Sequence, residues 1–241
     1  MRVYPQPSPD LTGVSEGNLS GLKVGLYTPW FEDADPEVVS ACRAGVAALE
    51  AAGAEIIEVE IPELHLVNPV HLVTIVSEMA ASQEEQLAKN PRIYGAETRV
   101  KLQLVRHLQP DDYIHEQRLR PRLCRHFDEA LAQCDVIVTP TTSGTAPPIR
   151  KASLAHGEMD TEVTERMMRF MQNGNLTGHP RLSVPVGYEG DGLAIVLDRL
   201  VDAWQAAFLF RIGSVARPSF DRKPPRQGIR LLCCVVCFCV D

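Results

Sequence analysis

Two stretches of this chain combine residue types that could bind and orient a substrate: Asp135-Val-Ile-Val-Thr-Pro-Thr-Thr142 and Asn175-Leu-Thr-Gly-His-Pro-Arg-Leu-Ser-Val-Pro-Val-Gly187. Both read as buried strands flanked by proline and small hydroxyl or amide residues. Strand ends of this kind form pocket rims in α/β proteins, because backbone and hydroxyl groups converge there with nothing bulky in the way. The rim groups are Thr139, Thr141 and Thr142 on the first stretch and Asn175 and Thr177 on the second. Covalent chemistry needs more than hydroxyls. Ser143 with Lys151 eight residues on has the composition of a serine–lysine dyad. A lysine acts as a base only when burial and neighbours depress its pKa, and the surrounding loop is polar. The plainer reading of Ser143 is a hydroxyl-rich loop at a strand end. His179, beside Pro180, likewise reads as a loop histidine.

The elements that must position these groups follow from periodicity. Leu22 to Tyr27 is a short β-rich run. Asp35-Pro-Glu then supplies an N-cap, a proline at the first helical position and an acid that favours the helix dipole. The helix that follows carries an apolar stripe of Val38, Cys42, Val46 and Leu49, and Gly53 is placed to end it in the left-handed conformation. Glu55 to Ile61 alternates polar and apolar residues before Pro62, which completes a β-α-β unit with parallel strands. Three helices are expected next, over Pro69–Lys89, Glu97–Leu108 and Asp111–Gln133, with a kink at Pro121. Asp135 to Thr139 is continuously apolar and β-branched, so it belongs in the centre of a sheet covered on both faces. A helix over Thr161–Gly174 should bury a stripe of Val163, Met167, Phe170 and Met171. Leu182–Val186 and Leu193–Leu197 should form a hairpin around the glycine-rich loop Gly187–Gly192. The fold class is therefore α/β, a mixed β-sheet flanked by helices.

Bulk properties exclude some functions. A chain of 241 residues with 45% hydrophobic and 23% charged residues has the composition of an ordinary globular protein. Its formal net charge of −7 argues against nucleic-acid binding, which needs a basic surface. Arg118, Arg120, Arg122 and Arg125 cluster on one helix and read as a solvated face. Residues 1–10 carry three prolines and no apolar core of the kind an export signal has, so an intracellular location, cytoplasmic or membrane-associated, is expected over secretion. Cys42, Cys124 and Cys134 read as small buried hydrophobes. Cys233, Cys234, Cys237 and Cys239 crowd a short apolar tail whose spacing fits neither a zinc ribbon nor a zinc finger.

Gly21-Leu-Lys-Val-Gly-Leu-Tyr27, Asp135–Thr142 with Ala146-Pro147, and Gly174-Asn-Leu-Thr-Gly-His-Pro180 together resemble the C-terminal half of amidase-signature hydrolases. Asp111-Asp-Tyr-Ile-His, Met168-Arg-Phe and Ser183-Val-Pro-Val-Gly-Tyr188 are most similar to the plant-type fatty acid amide hydrolases. The resemblance implies a partial amidase-signature fold. It implies an N-terminal extension over 1–20, an amidase portion over 21–200, and a divergent, poorly ordered, irregular tail over 201–241. Members of that family cleave amides with a serine nucleophile, a second serine on a cis peptide bond and a lysine. All three lie before the region that this chain resembles, and the chain contains neither a Ser-Ser nor a Gly-Gly dipeptide. No catalytic residue, cofactor or metal ligand is therefore expected in it. Thr139, Thr141, Thr142, Met171, Asn175 and Thr177 are expected to wall the substrate pocket. The expected ligand is a small-molecule amide, lipid-like in the finer reading, and the resemblance leaves a homodimer and membrane association open.

Three departures from the family pattern concern that rim. Arg181 stands where relatives carry a small residue, Asp198 where they carry glutamine, and His179 where they carry an apolar residue. A guanidinium at 181 needs a partner or solvent. The rival readings are a non-catalytic binding module that kept the fold, and a serine hydrolase acting through Ser143.

Overall fold

A computed structural model describes residues 17–148, 151, 160–190, 192–203 and 205–215. Strand β1 (Lys23–Leu26) leads through a short helix α1 (Thr28–Phe31) into α2 (Pro36–Ala51) and back into β2 (Glu55–Glu58). β1 and β2 run parallel, as the expected β-α-β unit requires. Gly53 has φ 101°, a left-handed conformation that lets the chain leave α2 sharply. Three helices follow: α3 (Val67–Lys89), α4 (Ala96–Leu104) and α5 (Pro110–Leu131), the last continuing as helix through Pro121. β3 (Val136–Pro140) then enters the sheet, succeeded by α6 (Thr161–Met168), α7 (Gln172–Thr177), β4 (Arg181–Tyr188), β5 (Ala194–Leu200) and α8 (Ala206–Val215).

The sheet order is β2-β1-β3-β5-β4, with β3 in the middle and every one of its residues buried. β2, β1 and β3 are mutually parallel, whereas β5 pairs antiparallel with both β3 and β4. Strand alternation sorts the core into two layers. Val136 and Val138 point into one cluster with Val46 and Leu49 of α2 and Ile212 of α8. Ile137, between them, points into the other with Trp30, Phe127 of α5 and Phe170. β3 is thus apolar on both faces because helices cover both.

Three expectations need correction. The helix expected over Thr161–Gly174 is two helices, since the chain turns at Arg169–Met171 to drive Phe170 under the Trp30 ring at 5.6 Å between centroids. Of the expected stripe only Phe170 is fully buried, while Val163, Met167 and Met171 are half-buried. The Asp35 side chain does not cap α2, because it is held by Arg166 at 2.7 Å. The arginine group of α5 is not wholly a solvated face either: Arg120 donates to the Leu176 carbonyl at 2.6 Å and Arg122 pairs with Glu63 at 2.8 Å. Within the segment assigned to the tail, Val201, Leu209 and Ile212 are buried in the α2-side core. Residues 1–16 and 216–241, including the four tail cysteines, lie outside the described residues.

One buried group is costly. Arg199 has no exposed surface, and among the described residues its guanidinium makes one hydrogen bond, a weak 3.3 Å donation to the Leu197 carbonyl. Among the described residues its Nε and one Nη find no partner, and burial pulls the guanidinium pKa down to about 10. Arg199→Leu should therefore raise unfolding free energy by about 1–3 kcal/mol, since an unsatisfied buried donor costs its full desolvation. Chemical denaturation of the two proteins checks this, and a less stable variant would contradict it.

Candidate functional site

The sheet places its candidate site at the end of β3, where the strand gives way to Thr141-Thr-Ser-Gly144. Thr139 is buried opposite Asp198 in the β3–β5 register, and its hydroxyl has no partner among the described residues. Thr141 donates its hydroxyl to the Asp198 carboxylate at 2.8 Å, and Ser183 of β4 donates to the same carboxylate oxygen. The other Asp198 oxygen pairs with Arg181 at 2.5 Å. Arg181 also donates to the Phe170 carbonyl and to the Asn173 side chain, both at 2.6 Å. A continuous polar chain therefore runs beneath the rim, from Thr141 through Asp198 and Arg181 to Asn173 on α7. Gly174 makes room for it, since a Cβ there would collide with the Arg181 side chain. The partner demanded by Arg181 is Asp198, a pairing across β4 and β5 that neither position signals locally.

The remaining predicted rim residues sit on either side of this chain. Thr142 donates internally to the Gly144 carbonyl at 2.7 Å. Met171 lies at the N-terminal boundary of α7, half-buried, and Asn175 lies within α7, also half-buried. Thr177 donates to the Asn173 carbonyl at 2.8 Å, which ties the end of α7 to the same network. The predicted residues thus come from two places, the β3 end and α7, that Asp198 and Arg181 link.

Ser143 is not disposed as a nucleophile. It is 2% exposed, its hydroxyl donates to the Arg166 carbonyl at 2.7 Å, and Lys151 is exposed. The Cys42 thiol is pushed up to about 12 and the Cys134 thiol to about 11, both chiefly by burial, so neither is a thiolate at neutral pH. Cys124 is half-buried.

A separate cleft of 670 Å³ opens at the carboxyl ends of β1 and β2, between Tyr27, Trp30, Pro62, Asn68, Arg169 and Gln172. None of the six predicted residues lines it. It has the position that parallel α/β sheets commonly give to ligands. Arg169 on its wall is paired with Asp33 at 2.6 Å.

His179 is not an open-loop histidine. It is 6% exposed, with Nδ1 at 2.8 Å from the Thr177 hydroxyl and Nε2 at 3.1 Å from an Asp128 oxygen. Burial lowers its pKa below 6.5 despite the opposing pull of Asp128, and burial likewise lowers that of His71. For groups with depressed folded pKa values the unfolded chain binds protons first, so their stability contribution is intact above 6.5 and is lost as the pH falls below it. Urea melts should show stability declining between about pH 7.5 and 5.5, with a shallower decline in His71→Leu. Stability that is flat or rising over that interval would contradict the assignment.

Comparison with known proteins then decides the lineage. The profile of the amidase family, described as "Amidase", matches residues 1–207. The chain belongs to the amidase family. Its amidase relatives include a fatty acid amide hydrolase of Medicago truncatula, 38% identical over 199 residues, a match covering 81% of this chain and 33% of the relative. An amidase of Pseudomonas putida is 34% identical over 197 residues, covering 80% of this chain and 42% of the relative. A solved structure of a bacterial aryl acylamidase of the amidase signature family superposes with TM-score 0.71 at 18% identity, covering 88% of this chain and 46% of that one. Another amidase structure gives TM-score 0.71 at 23% identity, covering 82% and 45%. These structures establish the amidase fold for the mixed sheet. The chain spans about a third of the plant relatives and under half of the amidase structures.

Proposed function

We propose that this chain forms the substrate-facing part of an amide hydrolase, acting in the complete protein on a fatty acyl or similarly lipid-like amide. The observation that carries this reading is 38% identity to a fatty acid amide hydrolase across 81% of the chain. The rim of Thr139, Thr141, Thr142, Met171, Asn175 and Thr177 offers hydroxyls and an amide to orient an amide head group. Met171 supplies the flexible apolar surface that an acyl chain packs against. On this reading the chain contributes binding and orientation, and the serine nucleophile, cis-serine and lysine come from sequence outside it. Exposed Leu72, Ile75, Val100 and Leu104 on α3 and α4 give an apolar face to a second copy or a lipid surface.

A second reading is a binding module without catalysis, favoured by a buried Arg181–Asp198 ion pair and a buried His179 against Thr177, at positions where the resemblance implies other residue types. A third reading, hydrolysis through Ser143, is opposed by that residue's bond to the Arg166 carbonyl. The purified chain should show no labelling by a fluorophosphonate probe and no turnover of a fatty acyl amide. Labelling that Ser143→Ala abolishes would overturn the proposal.

A further inference from the structure

The hydrogen count around His179 leads to a site that amide hydrolysis does not use. The Thr177 hydroxyl has one hydrogen, and it is donated to the Asn173 carbonyl at 2.8 Å. With that hydrogen on Asn173, Thr177 Oγ1 accepts from His179 and Nδ1 of the imidazole carries the proton, whereas the same hydroxyl rotated toward the ring donates to Nδ1 and leaves the proton on Nε2. In the first of these neutral tautomers the other nitrogen, Nε2, is left as a bare lone pair. That lone pair faces an Asp128 oxygen at 3.1 Å, and an Asp202 carboxylate oxygen lies close by, all three candidate ligand atoms being within 4.8 Å of one another. In that tautomer three electron-rich atoms lie within 4.8 Å of one another with no hydrogen between Nε2 and Asp128, an arrangement a cation resolves.

We propose that Asp128, His179 and Asp202 bind a divalent first-row transition ion. His179 Nε2 and the Asp128 oxygen, 3.1 Å apart, subtend about 100° at an ion about 2.0–2.1 Å from each, between tetrahedral and octahedral angles. One imidazole nitrogen with two carboxylates is a donor set for zinc, cobalt or manganese, with water completing the shell. The support behind the imidazole is built in. Thr177 holds the ring plane through Nδ1, as second partners of metal-bound histidines do. His179 is itself buried, its ring 6.2 Å from that of Phe127, while the two carboxylates are exposed and give the ion a route in. One Asp202 oxygen accepts from the Ala203 amide at 2.7 Å, which holds the carboxylate in place.

The ion would join three segments far apart in sequence: the last turns of α5, the turn between α7 and β4, and the segment leaving β5. α7 carries Asn175 and Thr177, so the clip would fix the rim from the side away from Asp198. The competing states are the neutral ring donating from Nε2 to Asp128 and an imidazolium ion pair with Asp128, neither of which needs a metal.

The test uses the full chain, stripped with chelator and dialysed against Co2+. One Co2+ should bind per chain without a thiolate-to-cobalt charge-transfer band, and the thermal midpoint should rise with cobalt concentration. Asp202→Asn and His179→Ala should each weaken binding at least tenfold. If His179→Ala loses its far-UV dichroism, Asp202→Asn, at an exposed carboxylate of nearly unchanged shape, decides alone. No bound cobalt, unchanged affinity in Asp202→Asn, or a thiolate band that disappears when Cys233, Cys234, Cys237 and Cys239 are changed to serine would each overturn the proposal.

Discussion

Asp198→Ala should destabilise the protein by about 3–5 kcal/mol, because it strands a guanidinium that is already out of water. The side chains of Arg181 and Asp198 are 7% and 4% exposed. Removing the carboxylate also leaves the Thr141 and Ser183 hydroxyls without their shared acceptor. The Arg181 Nε has no partner among the described residues even with Asp198 present, so the site has no spare acceptor to compensate. The loss should be specific to the pair. Arg181→Ala together with Asp198→Gln returns both positions to the residue types of the resembling family and should recover most of the stability, leaving a cavity cost beside Gly174. A double-mutant cycle of Arg181→Ala and Asp198→Ala by urea denaturation measures the coupling. Two independent, additive effects would show that the salt bridge does not hold the rim together.

The same pair explains what the sequence made legible. Apolar periodicity located the β-α-β unit, the fully buried central strand and the hairpin, because burial on one face or two leaves a direct trace in residue order. The stripe at Val163, Met167, Phe170 and Met171 misled, since the pull of Trp30 on Phe170 is a tertiary contact and has no local signature. Arg181 and Asp198 were each visible as departures from a family pattern. That they compensate one another depends on β4–β5 register, which places Arg181 opposite Leu200 and Asp198 opposite Ser183. His179 misled for a similar reason. A histidine next to a proline has loop chemistry locally, whereas its burial comes from α5, more than fifty positions away toward the N-terminus. The segment over 201–215 carried no motif, and its helix is held by Leu209 and Ile212 against the sheet, again a tertiary effect.

The second large effect concerns activity, and it is read in a chimaera with a full-length relative. A complete plant fatty acid amide hydrolase in which residues 21–200 of this chain replace the matched segment would carry the relative's own signature serines and lysine. It would also carry this chain's rim and its Arg181–Asp198 support. Orientation of the amide by the rim is the contribution under test, and small misplacements of such groups cost about 100-fold in rate. Alanine at Thr141 should lower kcat/KM through two routes, loss of a rim hydroxyl and loosening of Asp198. Asp198→Gln should leave the hydroxyl in place and separate the two.

The measurement that bears most directly on the central claim is therefore the hydrolysis of a fatty acyl amide by that chimaera. Turnover within about 100-fold of the parent enzyme is expected, together with none by the chain alone. A chimaera that unfolds cooperatively and reacts with a fluorophosphonate probe at its signature serine, yet hydrolyses no fatty acyl amide, would contradict it and leave the chain as a binding module on an amidase fold.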